Sequence, residues 1–381
     1  MVRRGFSLRA VARQFRVVLG TVQLWVSRAR GQRLDRVNWN NRPPGRPQAV
    51  NRTAPEVEDR VLDLRRQLRD HSALGEFGAA AIHRELVREG PDRVPTVRTI
   101  GRILERRGAL DGRRRIRHPA PPRGWYLPQV AARQAELDSF DVVEGLSIEG
   151  HGVIDILNAV SLHGGLPGSW PQRQVSAKSA VEGLLAHWRQ LGLPGYAQFD
   201  NDTRFQGPRM YPDSFGRVIR LCLSLGVIPV FVPPRESGFQ AAIENYNGRW
   251  QSKVWRRFRH PSLAALQKRS ALFVVAARQR AAARSESAPP RRQFPHDYQL
   301  NWQRPLSGRM IFLRRTNDRG QINFLVRNFL VDRHWLHRLV RAEIDLDAQR
   351  IDFYTLRRRD PENQPLIKTI AYDVPEYHFR E

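Results

Sequence analysis

The sequence predicts a multidomain chain, with all-helical units at the N-terminus, an α/β core with a mixed sheet in the middle, and a small all-β barrel at the C-terminus. Three observations carry this expectation. At 381 residues the chain has room for two or three domains, and a 41% hydrophobic content lets each bury a core. Hydrophobic spacing changes along the chain, from helical stripes up to residue 110, to short strands alternating with helices over 131–260, to closely spaced short strands after 305. Charge changes with it. The net formal charge is +16 over residues 1–130, +2 over 131–260 and +9 over 261–381, within a total of +27. A near-neutral middle flanked by arginine-rich segments fits a polyanionic partner, because each phosphate neutralised releases counterions.

Several classes are excluded. Cys222 is the single cysteine, so neither an intrachain disulfide framework nor a cysteine-based zinc finger is available. No apolar run is long enough to span a membrane, and the basic N-terminus lacks the apolar core of a signal peptide, so a cytoplasmic, nucleoid-associated location is expected. No glycine-rich phosphate loop is present, so no nucleotide cofactor is expected.

The elements are justified in order. Residues 1–34 read as a helix-turn-helix. Ser7 is the N-cap, Leu8, Val11, Ala12 and Phe15 form one apolar stripe, and Val22, Trp25 and Val26 form a second beyond a short break. Arg16 stands where such turns usually have Gly, and Val18 where Ser often caps the second helix. Residues 35–54 contain Asn41-Arg42-Pro43-Pro44-Gly45-Arg46-Pro47 and read as a basic linker. A second three-helix unit, winged or homeodomain-like, is expected over 55–110. Pro55 opens its first helix, whose apolar positions are Val57, Val61, Leu62 and Leu64; Thr96 caps the last helix. Arg16, Thr21, Gln23 and Arg28 in the first unit, and Arg98, Thr99 and Arg102 in the second, are the candidate DNA contacts. Residues 111–130, from Arg113-Arg114-Arg115 to Pro121-Pro122-Arg123-Gly124, form another basic linker.

Over 131–260, strands are expected at 137–143, 152–161, 170–175, 196–200 and 227–231. Helices are expected after Ser176, at 214–225 and at 240–258. Hairpin strands first, then alternating helix and strand, predict a mixed sheet with helices on its faces. A helical connector fills 261–300. The strands at 310–313, 322–325, 329–331, 339–346 and 351–354, with turns at Gly320 and Asp347, predict an SH3-like barrel over 301–381.

Three carboxylates in this core have informative settings. Asp138 lies in the first strand, Asp200 ends a strand in Phe199-Asp200-Asn201-Asp202-Thr203-Arg204-Phe205, and Glu244 sits on a helix ahead of Asn247. Acids on separate elements of one sheet can converge to hold a pair of Mg²⁺ ions, which accept a few carboxylates and leave positions open for phosphate and water. For the first acid, Asp141 is the alternative, on the opposite face of the strand from Asp138; Asp155 in the second strand is a weaker one. For the third, Glu236 gives a shorter spacing but sits in a Pro-rich loop without the Asn247 partner.

Residues 131–260 resemble the integrase core of insertion-sequence transposases and retroviral integrases, a ribonuclease-H-like fold. Asp200-Asn201-Asp202-Thr203-Arg204-Phe205 is similar to the family's Asp-Asn-Gly-Thr-x-Phe, with Asp202 in place of Gly. Pro233-Pro234, Gly238 and Glu244-x-x-Asn247 resemble the approach to its third acid, and Asn158-Ala159-Val160-Ser161 its second strand. Ala135-Glu136-Leu137 replaces the family's Trp-Gln before the first acid, and Gln251 replaces a frequent basic residue. The 43 residues between Asp200 and Glu244 exceed the family's usual spacing, which places extra residues near Gly207–Pro212.

The resemblance implies Asp138, Asp200 and Glu244 as catalytic residues and ligands of two Mg²⁺ (or Mn²⁺) ions per site; Arg249 and Lys253, which follow Glu244 on its helix, are further candidate DNA contacts. It implies cleavage at element ends and strand transfer into target DNA without a covalent protein–DNA intermediate. The implied partners are double-stranded DNA, as terminal inverted repeats and target, and further copies of the chain in a homo-multimer. Two other readings are a catalytically decayed or domesticated transposase that only binds DNA, and a ribonuclease-H-type nuclease.

Overall fold

The structure, a computed structural model, describes residues 1–40, 53–90, 94–110, 123–150, 152–210, 212–236 and 238–373. Most of both expected basic linkers therefore lies outside the described residues. The chain divides into two units, 1–58 and 59–381.

In the first unit the Ser7 hydroxyl accepts the Ala10 N–H and starts helix α1 (Leu8–Phe15). Arg16 then turns the chain with a left-handed φ of 51°, the conformation for which glycine is favoured. Helix α2 (Leu19–Arg28) follows Val18, which gives it no side-chain cap. Val11, Ala12 and Val22 form the seam. Phe15, Trp25 and Val26, expected on the buried stripes, are exposed instead. Helices of eight and ten residues meet along one short seam, and so small a unit has little interior to offer.

Three more helices follow, α3 (Pro55–His71), α4 (Ala79–Glu89) and α5 (Val97–Arg106). Val61, Leu64, Ile82, Leu86 and Ile100 form their common core, and Thr96 caps α5 by accepting the Thr99 N–H at 3.3 Å.

The rest of the second unit is built on one nine-stranded sheet. A short helix α6 (Pro128–Ala131) leads into β1 (Leu137–Ile148), β2 (Gly152–Ser161) and β3 (Pro167–Gln172). Then come α7 (Ala177–Leu191), β4 (Tyr196–Phe199), α8 (Thr203–Gln206), α9 (Arg217–Ser224) and β5 (Ile228–Phe231). Helix α10 (Ala241–Trp250) runs into a π-helical turn (Gln251–Trp255), and the long α11 (Leu263–Glu286) follows. The last strands are β6 (Arg309–Arg315), β7 (Gln321–Phe324), β8 (Arg327–Leu330), β9 (Leu339–Asp345), β10 (Arg350–Thr355) and β11 (Leu366–Ala371).

The sheet order is β11-β10-β9-β6-β5-β4-β1-β2-β3, with β7 and β8 forming a separate hairpin. Strands β1, β4, β5 and β6 run parallel, whereas β1–β2–β3 and β6–β9–β10–β11 are antiparallel ladders. The mixed sheet expected of the middle segment is present. The expected C-terminal barrel is not. β6 pairs with β5 through Val230↔Ile311 and Phe231↔Phe312, so the C-terminal strands extend the core sheet in an open order, and residues 59–381 form one unit. The rings of Phe231 and Phe312 stack at 4.9 Å across that junction.

Two helical layers cover the sheet around β1. Phe140, Leu157 and Ala159 pack against α7 and α9, while Ile154, Ile156 and Val160 pack under α10 and α11. This alternation is the period-two rule of strands. A register shift between Val143 and Leu146 lets Leu146 and Ile148 join the α10 side. No helix among the described residues is long and apolar enough to cross a membrane.

Candidate active site at the end of the central strands

Strand β1 pairs with β4 through Leu137↔Tyr196, Asp138↔Ala197 and Ser139↔Gln198. Continuing that register sets Asp141 beside Asp200, which follows the last residue of β4. Because side chains alternate, Asp138 and Asp141 leave the strand on opposite faces. Their surroundings show which face each takes. Asp138 is fully buried on the α7 side, where it accepts Trp188 Nε1–H at 3.1 Å and two bonds from Arg291, at 2.9 and 2.6 Å. The His187 ring lies 3.6 Å away. Asp141, on the α10 side, accepts Asn247 Nδ2–H at 2.6 Å. The structure thus corrects the expectation that Asp138 meets Asp200 and Glu244. A bidentate ion pair consumes the Asp138 carboxylate on the other side of the sheet, and Asp141 takes the place expected for it. Asp155 also points to the α7 side and accepts the Val175 N–H at 3.2 Å.

The electrostatics agree. Burial pushes Asp141 up, and the neighbouring Asp200 and Glu244 carboxylates push in the same direction; bonds from the Val142 amide and Asn247 oppose them, leaving a pKa of about 6. Asp200 is raised too, first by burial and then by Asp202 and Glu144, against the Asp202 amide and Arg204. Glu244 is exposed in the first turn of α10. Arg204 is drawn away from Asp200 by Asp202, at 2.8 and 2.5 Å, and by Glu144 at 2.7 Å. The charged groups that weigh most on Asp141 are thus both carboxylates, Asp200 and Glu244. That is a field a divalent cation would answer, and hard oxygen donors suit Mg²⁺. Among the described residues, no group of three or more His, Cys, Asp or Glu side chains is gathered tightly enough to form a ready-made metal site. The fit is thus one of charge and donor type.

Around these acids the chain builds supports. Asn247, three residues after Glu244, accepts from Asn158 Nδ2–H at 2.8 Å while donating to Asp141, and Ser169 donates to Asn158 at 2.5 Å. The β1–β2 register places Asn158 opposite Asp141. On the other flank, Asn201 donates to the Val232 carbonyl at 2.7 Å and accepts from Gln206 and Arg314, each at 2.7 Å. Arg314 comes from β6. It is buried and also donates to the carbonyls of Val232, Leu313 and Asn323 at 3.1, 2.8 and 2.9 Å. Burial, reinforced by Arg209, lowers its pKa to about 9. Asp202, where the family motif has Gly, needs no glycine conformation here. At φ −64° it caps α8 by accepting the Arg204 N–H at 2.8 Å.

The remaining expected residues divide. A cleft of 580 Å³ is lined by Ser139 and Gln198, two residues before Asp141 and Asp200, and by Asn245, next to Glu244, though not by the three acids themselves. Arg123, Arg249, Arg280 and Arg284 line it, with Glu76 as its one acid among the described residues. Arg249 thus lies where a phosphate could reach it. Lys253 donates to the Gly75 carbonyl at 3.1 Å and sits over the Phe77 ring. Glu236 is tied to Arg315 and Arg358, not to the acids. Arg98 and Arg102 are exposed on α5 and Thr99 is half-buried; Arg16 and Gln23 are exposed, Thr21 is half-buried, and Arg28 donates to the Trp39 carbonyl at 2.9 Å. Sequence reasoning missed Arg314. The one available signal was an arginine directly after the apolar run Met310–Leu313.

No family model matches the chain, and no curated protein matches it. Solved structures give loose likenesses. A simian T-cell lymphotropic virus intasome, in complex with the PP2A regulatory subunit B56 gamma, is 14% identical over 70% of this chain and 84% of that chain, with a TM-score of 0.34. The catalytic core domain of BIV integrase is 17% identical over 37% of this chain and 81% of that chain, at 0.28. The HTLV-2 integrase catalytic core domain in complex with magnesium, in its trimeric form, is 13% identical over 43% and 85%, at 0.25. Likenesses this loose carry no argument about what the present chain does.

Proposed function

We propose that the chain is a DNA transposase or integrase, a polynucleotidyl transferase that cleaves phosphodiesters at element ends and joins them to target DNA. The observation that carries the reading is the meeting of Asp141 and Asp200 at the end of two parallel strands, on the face where Asn247 docks the helix bearing Glu244. Asp141, Asp200 and Glu244 would hold Mg²⁺ or Mn²⁺, two ions per site. The metal, when bound, would activate the attacking oxygen and stabilise the leaving one. Asn247 and Asn158 fix the rotamer of Asp141. Arg314, through Asn201, fixes the loop that carries Asp200. Arg249 and its neighbours in the basic cleft hold phosphates of the bound strand in place. The helix-turn-helix units would read terminal inverted repeats, and joining two ends calls for a homo-multimer.

The test is cleavage by the full-length chain, with Mg²⁺, of duplexes carrying the DNA that flanks its gene. Nicking is expected, and D141N, D200N and E244Q should each lose more than about a hundredfold. Full activity in D141N would overturn the assignment. A second reading is a DNA-binding protein without chemistry, which Gln251 favours, standing where the family often has a basic residue. It predicts binding with no nicking in any variant. A ribonuclease-H-type nuclease would nick without strand transfer.

A further inference from the structure

Beneath the Asp200 loop lies a second cavity of 280 Å³, lined by Asn201, Arg209, Ser214, Pro234, Arg314 and Val326 among others. Three observations set it apart from a packing defect. Arg314 is 6% exposed and, among the described residues, none of its hydrogen bonds goes to a carboxylate, while Asp202, the carboxylate that feels Arg209, is itself bonded to Arg204. Among the described residues the hydrogen-bond partners of Arg314 are carbonyl oxygens and the Asn201 side chain, and its Nη2 has that one acceptor there for two hydrogens. Buried charges are ordinarily paired, because carbonyl dipoles replace only part of what water gave. Next, Arg209 donates to the backbone carbonyl of the same Asn201 at 2.8 Å, which brings a second cation to this rim. Finally, the β7–β8 hairpin turns through Leu325 and Val326 at φ 48° and 61°. Two-residue turns with positive φ favour Asn-Gly, and a β-branched residue there is an outlier. Val326 is nevertheless held in that conformation, 46% exposed, as part of the cavity wall. Strain of this kind clusters at ligand sites.

We propose that this cavity is an oxyanion site that takes one phosphate group between Arg314 and Arg209. The remaining Nη2–H of Arg314 and the Arg209 guanidinium can each donate to a phosphate oxygen, and the anion brings negative charge to the buried Arg314. The phosphate could belong to a DNA backbone or be free in solution; the chemistry of recognition is the same. The inference does not depend on catalysis, since the site lies beside the acids and needs no metal.

The experiment is titration of the metal-free full-length chain with inorganic phosphate, followed by ³¹P NMR line width and by calorimetry. One saturable site per chain is expected. R209E removes the exposed cation and S214E places a carboxylate in the cavity. Each should weaken uptake at least about tenfold, while R359E, an exposed charge reversal elsewhere, should leave it within about twofold. Displacement of the phosphate by duplex DNA would identify a backbone phosphodiester as the ligand, and indifference to duplex would identify free phosphate. Absence of saturable uptake, or equal uptake by wild type, R209E and S214E, would overturn the proposal. A failed nicking assay has no bearing on it.

Discussion

Asp138 and Asp141 stand three residues apart on one strand and meet opposite fates. Burial alone would raise Asp138, but the charge and hydrogen bonds of Arg291, with help from His187 and Trp188, hold it below the ordinary carboxylate range. Removing that charge leaves Arg291 buried and unpaired, so D138N should lose about 3–5 kcal/mol of stability, read from its urea midpoint. Asp141 behaves the other way. Its raised pKa means the folded chain holds this proton more tightly than the unfolded chain. The resulting stability is complete below about pH 4, the unfolded value, and is lost as pH rises through about 6. At pH 7.5 without metal, D141N should therefore be more stable than wild type by roughly 2–3 kcal/mol. Mg²⁺ should raise the melting temperature of wild type but not of D141N. A stabilised D138N, or a D141N that still responds to Mg²⁺, would reverse the two roles. The sequence showed both acids and the difference in parity between them. It could not show which face the Glu244 helix covers, because that depends on packing between residues a hundred positions apart.

At the level of elements, the C-terminal strands are where reading and structure part. The apolar run Met310–Leu313 and the short apolar segments Leu339–Leu346 and Ile351–Tyr354 located β6, β9 and β10, and such a pattern is the same whether strands close on themselves or extend a neighbouring sheet. The deciding contact is a ladder of two residue pairs, Val230↔Ile311 and Phe231↔Phe312, and so short a nonlocal pairing leaves no periodic trace. Strand β11 was missed, since Leu366–Ala371 interrupts its apolar residues with Lys368 and Thr369. Helix caps at Ser7, Thr96 and Ser176, by contrast, are local and were legible. One expectation follows from the junction. A chain ending at residue 305 loses β6, the Phe231–Phe312 stack and the Arg314 bonds to Asn201, and leaves the β5 edge open. It should be aggregation-prone on gel filtration, whereas an independent C-terminal domain would leave it soluble and monodisperse.

Over the whole molecule the charge is concentrated where chemistry is not. Residues 1–40 hold nine arginines and one acidic side chain, while the segment that carries the acids is nearly neutral. DNA affinity should therefore be divisible. A chain starting at residue 53 should keep Mg²⁺-dependent nicking but bind duplex with a shallower salt dependence, by about 0.9 in slope for every phosphate contact removed. It should also discriminate less between flanking and unrelated DNA. An unchanged slope would show that the first unit does not touch the duplex.

The open ladder from β11 to β3 also constrains how such a protein can be recombined. If the last strands were a bead on a string, a different tail could be spliced on anywhere after α11. Here the tail brings a guanidinium that props the loop of a central acid, so tail and core must be exchanged together. A viable chimera would take its crossover before Ile228 and carry β5, β6 and Arg314 as one inheritance.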